Sequence, residues 1–191
     1  MGSGLDRRST KRTQMAPEIA ISNPVRTDRP QNLQGAFKAA MRRFAATVTI
    51  VTVADGDVRS GMTATAVSSL STDPPAILAC VNREASIHSN MRLGTPFCVN
   101  LLSADHGPLS SAFGGKVSPA DRFSIGDWLV DDEGRPYLID GQANLFCIVD
   151  ATLDYGTHTI FIGKVHAVRL HGAVRPLIYG DGKFIDVGFP L

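Results

Sequence analysis

The stretch Gly61-Met-Thr-Ala-Thr-Ala-Val-Ser-Ser-Leu70, continued by Ser-Thr-Asp-Pro-Pro-Ala-Ile-Leu-Ala-Cys-Val-Asn82, decides the fold that we expect. Its first half is a run of small and hydroxyl-bearing residues, and its second half ends in an apolar run typical of a buried strand. Hydroxyl groups can donate and accept hydrogen bonds, and alanines keep a surface low enough for a flat ring to lie on it. The same run also fits an ordinary edge strand, because threonine suits a pleated surface without any ligand.

Strand-like segments dominate the rest of the chain. They cover 47–53, 58–70, 76–81, 97–102, 143–153, 157–170 and 174–179, and Asp55-Gly-Asp57 predicts a hairpin turn between the first two. The run 76–81 is wholly apolar, as in a strand buried on both faces. Helical spacing predicts an amphipathic helix over 32–44 capped by Asn32, and short helices over 84–93 and 109–113. The interval 114–135 is predicted to be a long loop anchored by Trp128. The pattern favours a mainly β, antiparallel fold, a closed or split barrel with peripheral helices.

Length and composition predict one domain and a cytoplasmic protein. The chain has 191 residues, of which 43% are hydrophobic, and we expect a flexible polar arm over 1–31 followed by a domain over 32–191. A transit peptide is disfavoured by the acidic residues of the arm, and an added leader ahead of Met15 explains residues 1–14 at least as well. The net charge of +1 argues against nucleic acid or membrane partners. Cys80, Cys98 and Cys147 lack metal-ligand spacing and are typical of reduced, buried thiols.

Two local patterns are candidate sites. At Asn82-Arg-Glu-Ala-Ser86 a strand meets a predicted helix start, where free N–H groups, the Ser86 hydroxyl and the Arg83 guanidinium could bind a phosphate. A plain helix cap with a solvated arginine is the alternative. His158 opens a strand beside a glycine, at the rim of the expected barrel, but a lone histidine there is more often structural. Gly114-Gly-Lys116 lacks the upstream glycine of a P-loop, so we do not predict that it binds a nucleotide.

Several segments in one order resemble the flavin reductase-like family, the reductase components of two-component flavin monooxygenases. The resemblance runs from about Phe37 to about Gly188. It is carried by Phe44–Thr52, Gly61–Ser71 with Asp73-Pro-Pro75, Phe97–Leu102, Asp121-Arg-Phe123 and Gly156-Thr-His-Thr-Ile-Phe-Ile-Gly163. It implies an FMN-binding split β-barrel and a homodimer, with FMN or FAD bound near the subunit boundary.

The resemblance also implies which residues bind the ligands. The implied flavin-binding residues are Thr63, Ala64, Thr65, Ala66, Ser68, Ser69, Cys80, Val81, Asn82, Arg83, Ser86, Phe113 and Tyr179. Relatives carry a Gly-Asp-His associated with nicotinamide binding, so His158 is the implied catalytic residue. Thr157 stands where the family has the acid, which removes the charge next to His158. The segment Tyr179–Phe184 is similar to the closing hairpin of the family, with an aromatic residue at both ends.

The expected function is therefore an NAD(P)H:flavin oxidoreductase, which uses NADH or NADPH to reduce FMN or FAD and supplies reduced flavin to a partner monooxygenase. A non-catalytic flavin-binding or storage module is the main alternative. A relative of the pyridoxamine-phosphate oxidases is a third, disfavoured by the segments around Gly61 and Gly156. Such a reductase needs no metal and no acid–base pair, because the cofactor carries the chemistry.

Overall fold

The computed structural model describes residues 32–185 and Gly188, so the arm predicted over 1–31 lies outside the described residues. The α-helices in the described part are α1 (Leu33–Met41) and α2 (Gly107–Ser111). The strands there are β1 (Ala46–Thr47), β2 (Thr49–Asp55), β3 (Val58–Ala64), β4 (Val67–Thr72), β5 (Pro75–Asn82), β6 (Pro96–Leu101), β7 (Trp128–Val130), β8 (Pro136–Leu138), β9 (Ala143–Tyr155), β10 (His158–Leu170), β11 (Ile178–Gly180) and β12 (Lys183–Ile185).

Seven of these strands form one antiparallel sheet in the order β3-β2-β6-β9-β10-β5-β4. The hairpin predicted at Asp55–Asp57 is confirmed, since Asp55 pairs with Val58 across a two-residue turn. Gly56 has a φ of +56° there, a backbone conformation that favours glycine. The long β9–β10 hairpin turns in the same way at Gly156, also with a φ of +56°.

The sheet rolls up because its two edge strands are neighbours in the chain. The sequence predicts one strand over 58–70, but the structure breaks it at Thr65 and Ala66 into β3 and β4. These two strands lie at opposite edges of the sheet, and two residues span at most about 7 Å. The edges are therefore held side by side at this crossing. The predicted mainly β, antiparallel split-barrel class is confirmed.

The hydrophobic core lies within the rolled sheet, with a second cluster outside it. Val51, Phe97, Val99 and Phe161 are at most 1% exposed and belong to the inner cluster. From Ile77 to Asn82 on β5 only alternate side chains are buried, so over this stretch the expectation of burial on both faces holds for one face. The outer cluster packs α2 and the segment after it against the sheet.

The segments between strands differ most from the sequence-based predictions. The helix predicted over 84–93 is absent, and a turn with a single 3-10 turn at His88–Asn90 replaces it. The Asn82 side chain explains this, because its Oδ1 accepts the Glu84 N–H at 3.0 Å and so stabilises a turn. In the predicted loop 114–135, Trp128 is an anchor as expected, since its ring centroid lies 5.2 Å from that of Phe113. It nevertheless belongs to a strand, β7, which pairs with β8.

Helix α1 is capped as predicted but buries none of its side chains. Asn32 Oδ1 accepts the Gly35 N–H at 2.8 Å. Leu33 is 69% exposed and Phe37 60%, and Phe44 just after the helix is 68% exposed. The apolar face of α1 is thus left uncovered by the described part of this chain. Neither this helix nor any other in the described residues has the length and apolar character that crossing a membrane requires.

Candidate functional site

The crossing between β3 and β4 leaves two backbone N–H groups free. It is fixed on one side by the Thr63 hydroxyl, which donates to the Ser110 carbonyl at 2.7 Å. On the other side the Ala66 carbonyl accepts the Cys80 N–H at 2.9 Å. Thr65 and Ala66 are both exposed, and their N–H groups find no acceptor among the described residues. Unused donors on two consecutive exposed residues suit the polar edge of a ligand.

A cleft of about 330 Å³ opens beside this crossing, and we call it the Tyr179 cleft. The β11–β12 hairpin contributes Tyr179 and Phe184, whose rings meet edge to face with centroids 5.8 Å apart. Both rings are partly exposed, at 39% and 41%. Thr65 and Lys116 also line the cleft. The Tyr179 cleft therefore combines flat apolar surface with a hydroxyl group and a positive charge.

A second cleft of about 390 Å³ adjoins the first, and we call it the Arg122 cleft. Thr63 and Gly114 line both clefts, so the two are neighbours. Ser86 and Arg122 line only the Arg122 cleft, and each presents hydrogen-bond donors. Arginine is well suited to phosphate recognition, because its planar fork of donors matches the phosphate oxygens.

Arg122 is itself held by the sheet. Its Nη1 donates to the Gly61 carbonyl at 2.8 Å, and its Nε donates to the Val117 carbonyl at 3.3 Å. A guanidinium has five N–H donors, so three remain for a ligand. Sequence reasoning missed Arg122 and Lys116 as site residues. The available signals were the segment Asp121-Arg-Phe123, taken only as a family marker, and Gly114-Gly-Lys116, which is no P-loop but does line both clefts.

His158 lies at a corner formed by β5 and the β9–β10 turn. It is exposed, opens β10 and pairs with Asn82. Its Nδ1 lies 2.9 Å from the Thr157 hydroxyl, so the residue that replaces the family acid still contacts the imidazole. Arg83 joins the same corner, because its N–H donates to the Thr157 carbonyl at 3.0 Å and its guanidinium donates to the Gly156 carbonyl.

The two residues predicted to share a phosphate site thus face different neighbours. Ser86 lines the Arg122 cleft, whereas the guanidinium of Arg83 contacts the carbonyl of Gly156 at the His158 corner. The helix start invoked for this phosphate site is not formed, so it contributes no aligned N–H groups. Among the described residues that line the Arg122 cleft together with Ser86, Arg122 is the one cation and Glu84 the one carboxylate.

The remaining predicted residues are spread over three surroundings. Ala64 and Val81 are buried in the core, at 6% and 0% exposure, so their positions offer a ligand backbone atoms only. Phe113 is also buried, yet it lines the Arg122 cleft. Ser68 and Ser69 lie exposed on β4, away from the lining of both clefts.

Thiol and metal chemistry have little support among the described residues. Burial raises the pKa of Cys147 to about 12 and raises that of Cys98 well above its ordinary value. Both side chains are therefore neutral thiols at physiological pH, which makes them poor nucleophiles. Within residues 32–185 and Gly188, no three His, Cys, Asp or Glu side chains are grouped so as to hold a metal ion.

Comparison with known proteins identifies relatives over most of the chain. Residues 41–188 match the flavin reductase like domain. The chain is 43% identical over 157 residues to the reductase component of an FADH₂-dependent resorcinol hydroxylase from a Rhizobium species, covering 81% of this chain and 88% of that protein. It is 36% identical over 178 residues to the FMN reductase (NADH) RutF of Variovorax paradoxus, covering 92% of this chain and 99% of that protein.

The fold has solved counterparts as well. The NADH:FAD oxidoreductase SgcE6 of Streptomyces globisporus, determined in complex with NAD and FAD fragments, superposes with a TM-score of 0.75. The two chains are 28% identical, and the match covers 81% of this chain and 93% of that one. Sequence and fold therefore point to the same group of proteins.

Proposed function

The chain belongs to the flavin reductase-like family, and from that membership we propose that it is an oxidoreductase that reduces a flavin with NADH or NADPH and supplies the reduced flavin to a partner monooxygenase. The observation that carries the proposal is the crossing at Thr65 and Ala66, where two exposed N–H groups lack an acceptor in the described chain. Thr65 lines the aromatic Tyr179 cleft, which adjoins the Arg122 cleft with its arginine and the Ser86 hydroxyl. FMN and FAD have a polar edge, a flat ring and a phosphate, so the residues present fit them.

Each part of the site has a role in this proposal. The N–H groups of Thr65 and Ala66 bind the polar edge of the flavin ring, and Tyr179 and Phe184 contact its flat surface. Ser86 and Arg122 bind the phosphate. When bound, the flavin supplies the hydride acceptor and the reduced nicotinamide supplies the donor. The fixed N–H donors stabilise negative charge that develops on the ring, without an acid or a base from the protein.

His158 binds the nicotinamide in this proposal. Its imidazole is exposed at a corner that also contains Asn82, the last residue of β5. Cys80, two residues or about 7 Å back along β5, is hydrogen-bonded to Ala66 of the crossing. The Thr157 hydroxyl orients the His158 ring through its contact with Nδ1. The nicotinamide end of the site is thereby close to the flavin end.

Anaerobic mixing tests the activity directly. The protein is combined with FMN, FAD or riboflavin, and the loss of visible flavin absorbance is followed after adding NADH or NADPH. Turnover with at least one combination is expected, and the preferred pair identifies the flavin and the nicotinamide. Tight flavin binding without turnover in any combination would contradict the reductase and favour the storage module. Oxidised flavin left unbound would contradict both.

We further propose that the domain over 32–191 works as a homodimer in the cytoplasm. The apolar face of α1 supports the dimer, because Leu33, Phe37 and Phe44 are more than half exposed, and a second copy would cover them. The three cysteines are free thiols, as expected in a reducing compartment. Sedimentation of wild-type protein and the Phe37→Ser variant tests this assembly. A monomeric wild type, or a variant as dimeric as the wild type, would refute the role of this face.

A further inference from the structure

Thr159 is a buried polar residue for which the proposed reaction gives no role so far. It follows His158 on β10, is 3% exposed, and pairs with Val81 of β5 and Asp154 of β9. Its hydroxyl lies 2.5 Å from Asp154 Oδ1 and 2.8 Å from His88 Nε2. Three side chains from three separate segments are thus joined through one hydroxyl group.

The chemistry of the three groups fixes the direction of both hydrogen bonds. A carboxylate only accepts, so the Thr159 hydroxyl donates its proton to Asp154. The Thr159 oxygen is then an acceptor, and His88 Nε2 must carry the proton that it receives. The His88 ring is also held by the buried Phe161, with centroids 5.7 Å apart in an edge-on contact. The imidazole is thereby fixed in both orientation and tautomer.

The hydrogen-bonded chain connects the two ends of the proposed site. His88 closes the turn that carries Ser86, because its N–H donates to the Ala85 carbonyl at 2.9 Å. Thr159 lies one residue after His158, at the start of β10. Asp154 lies just before the β9–β10 turn, whose Gly156 carbonyl accepts from Arg83. The same three residues therefore touch the turn of the Arg122 cleft and the corner of His158.

We propose that Thr159 is a positioning residue, which through His88 and Asp154 holds the Ser86 turn at a fixed place relative to His158. This inference rests on the proposed function, since it assigns the two ends to flavin phosphate and nicotinamide. Without the hydroxyl, backbone hydrogen bonds and the edge-on contact of His88 with Phe161 would still join the turn to β10, but no side-chain hydrogen bond would link His88 to Thr159, and the two ligands would meet a looser site. Nicotinamide use should suffer most, because the nicotinamide at His158 has to be held in a fixed orientation to the flavin placed by the Ser86 turn.

The ligand-free protein tests the structural half of the proposal by hydrogen–deuterium exchange. Thr159→Val removes the hydroxyl and keeps the shape, and Thr152→Val is the matched control, since Thr152 is exposed on β9 of the same hairpin. In Thr159→Val the amides of Arg83, Ala85 and His88 should exchange on the order of tenfold faster than in wild type. Amide exchange in the core strands of Thr159→Val, and throughout the Thr152→Val protein, should be the same as in wild type. Unchanged exchange at the three amides, or faster exchange throughout the sheet, would overturn the proposal.

Steady-state kinetics test the functional half. Thr159→Val should raise the KM for the reduced nicotinamide on the order of fivefold while kcat at saturation stays close to wild type. Thr159→Ser restores a hydroxyl and should restore most of the KM. The inference would be overturned if Thr159→Val impaired the use of flavin and of nicotinamide equally and Thr159→Ser restored neither, because a merely structural residue would behave in this way. If the wild type reduces no flavin, the proposed function fails, and the exchange experiment still decides whether Thr159 holds the turn.

Discussion

Replacing Ser86 by alanine tests whether the Arg122 cleft holds the flavin phosphate. Ser86 is exposed, and its hydroxyl makes no hydrogen bond to the described residues, so Ser86→Ala should change folding stability by less than about 0.5 kcal/mol. A hydrogen bond to a charged group contributes about 1.5–3 kcal/mol, so FMN binding should weaken roughly ten- to a hundredfold. Riboflavin has no phosphate, and its affinity should stay as in wild type.

The two arginines provide an internal comparison. Arg122 lines the same cleft as Ser86 but spends two of its five donors on the carbonyls of Gly61 and Val117. Arg122→Lys keeps the charge, but its single ammonium nitrogen cannot take the positions of both Nε and Nη1 and also reach a phosphate, so it should weaken FMN binding and lower the melting temperature together. Arg83→Ala should have the smaller effect on FMN, because that guanidinium is engaged at Gly156.

Fluorescence titration of each variant with FMN, FAD and riboflavin measures these effects. The ratio of FMN to riboflavin affinity isolates the phosphate contribution, because both ligands carry the same ring. Equal losses of FMN and riboflavin in Ser86→Ala would place the phosphate elsewhere. A larger loss of FMN in Arg83→Ala than in Arg122→Lys would return the phosphate to the arginine that the sequence first suggested.

Three further predictions concern other parts of the chain. His158→Ala should raise the KM for the reduced nicotinamide or slow flavin reduction, with flavin affinity nearly unchanged; unaltered stopped-flow reduction at every nicotinamide concentration would remove His158 from the site. Gly61→Ala should lower stability by about 1–3 kcal/mol, because its Cβ would lie 2.7 Å from the Phe113 ring; an unchanged melting temperature would contradict this. Burial raises the pKa of Cys147 to about 12 and also that of Cys98, so the folded chain keeps protons that unfolded thiols lose near pH 9.0. The free energy of unfolding should therefore be at its full value below pH 9.0 and fall as the pH rises from there towards 12. A urea midpoint that does not change over this range would contradict this prediction.

Much of the fold could be predicted because its signals are local. The turn at Gly56 and the alternation of the strands depend on neighbouring residues, which single-sequence patterns capture. The break at Thr65 and Ala66 could not be found in this way. One continuous strand and two successive strands with different partners can have the same composition. Only the pairing of β3 with β2 and of β4 with β5 shows that this segment is two strands.

The site was predicted in part for a related reason. Thr65, Ala66 and Ser86 lie in segments whose composition and resemblance pointed to a ligand, and the structure brings their surroundings together. Arg122 and Lys116 come from a stretch without periodicity. They reach the clefts only because the neighbouring aromatic side chains, Phe113 among them, pack against the outside of the sheet. No local pattern specifies that packing.

The crossing explains how a barrel can bind a flavin without dedicated catalytic acids or bases. A strand that passes from one sheet edge to the other must leave the first ladder before it joins the second. The residues between, Thr65 and Ala66, then keep N–H groups that neither ladder uses. Such groups would be costly if buried, but they are exposed here and can be satisfied by water or by a ligand. The break that rolls the sheet therefore also creates the donors, and the chemistry that the protein must add is limited to placing two rings beside them.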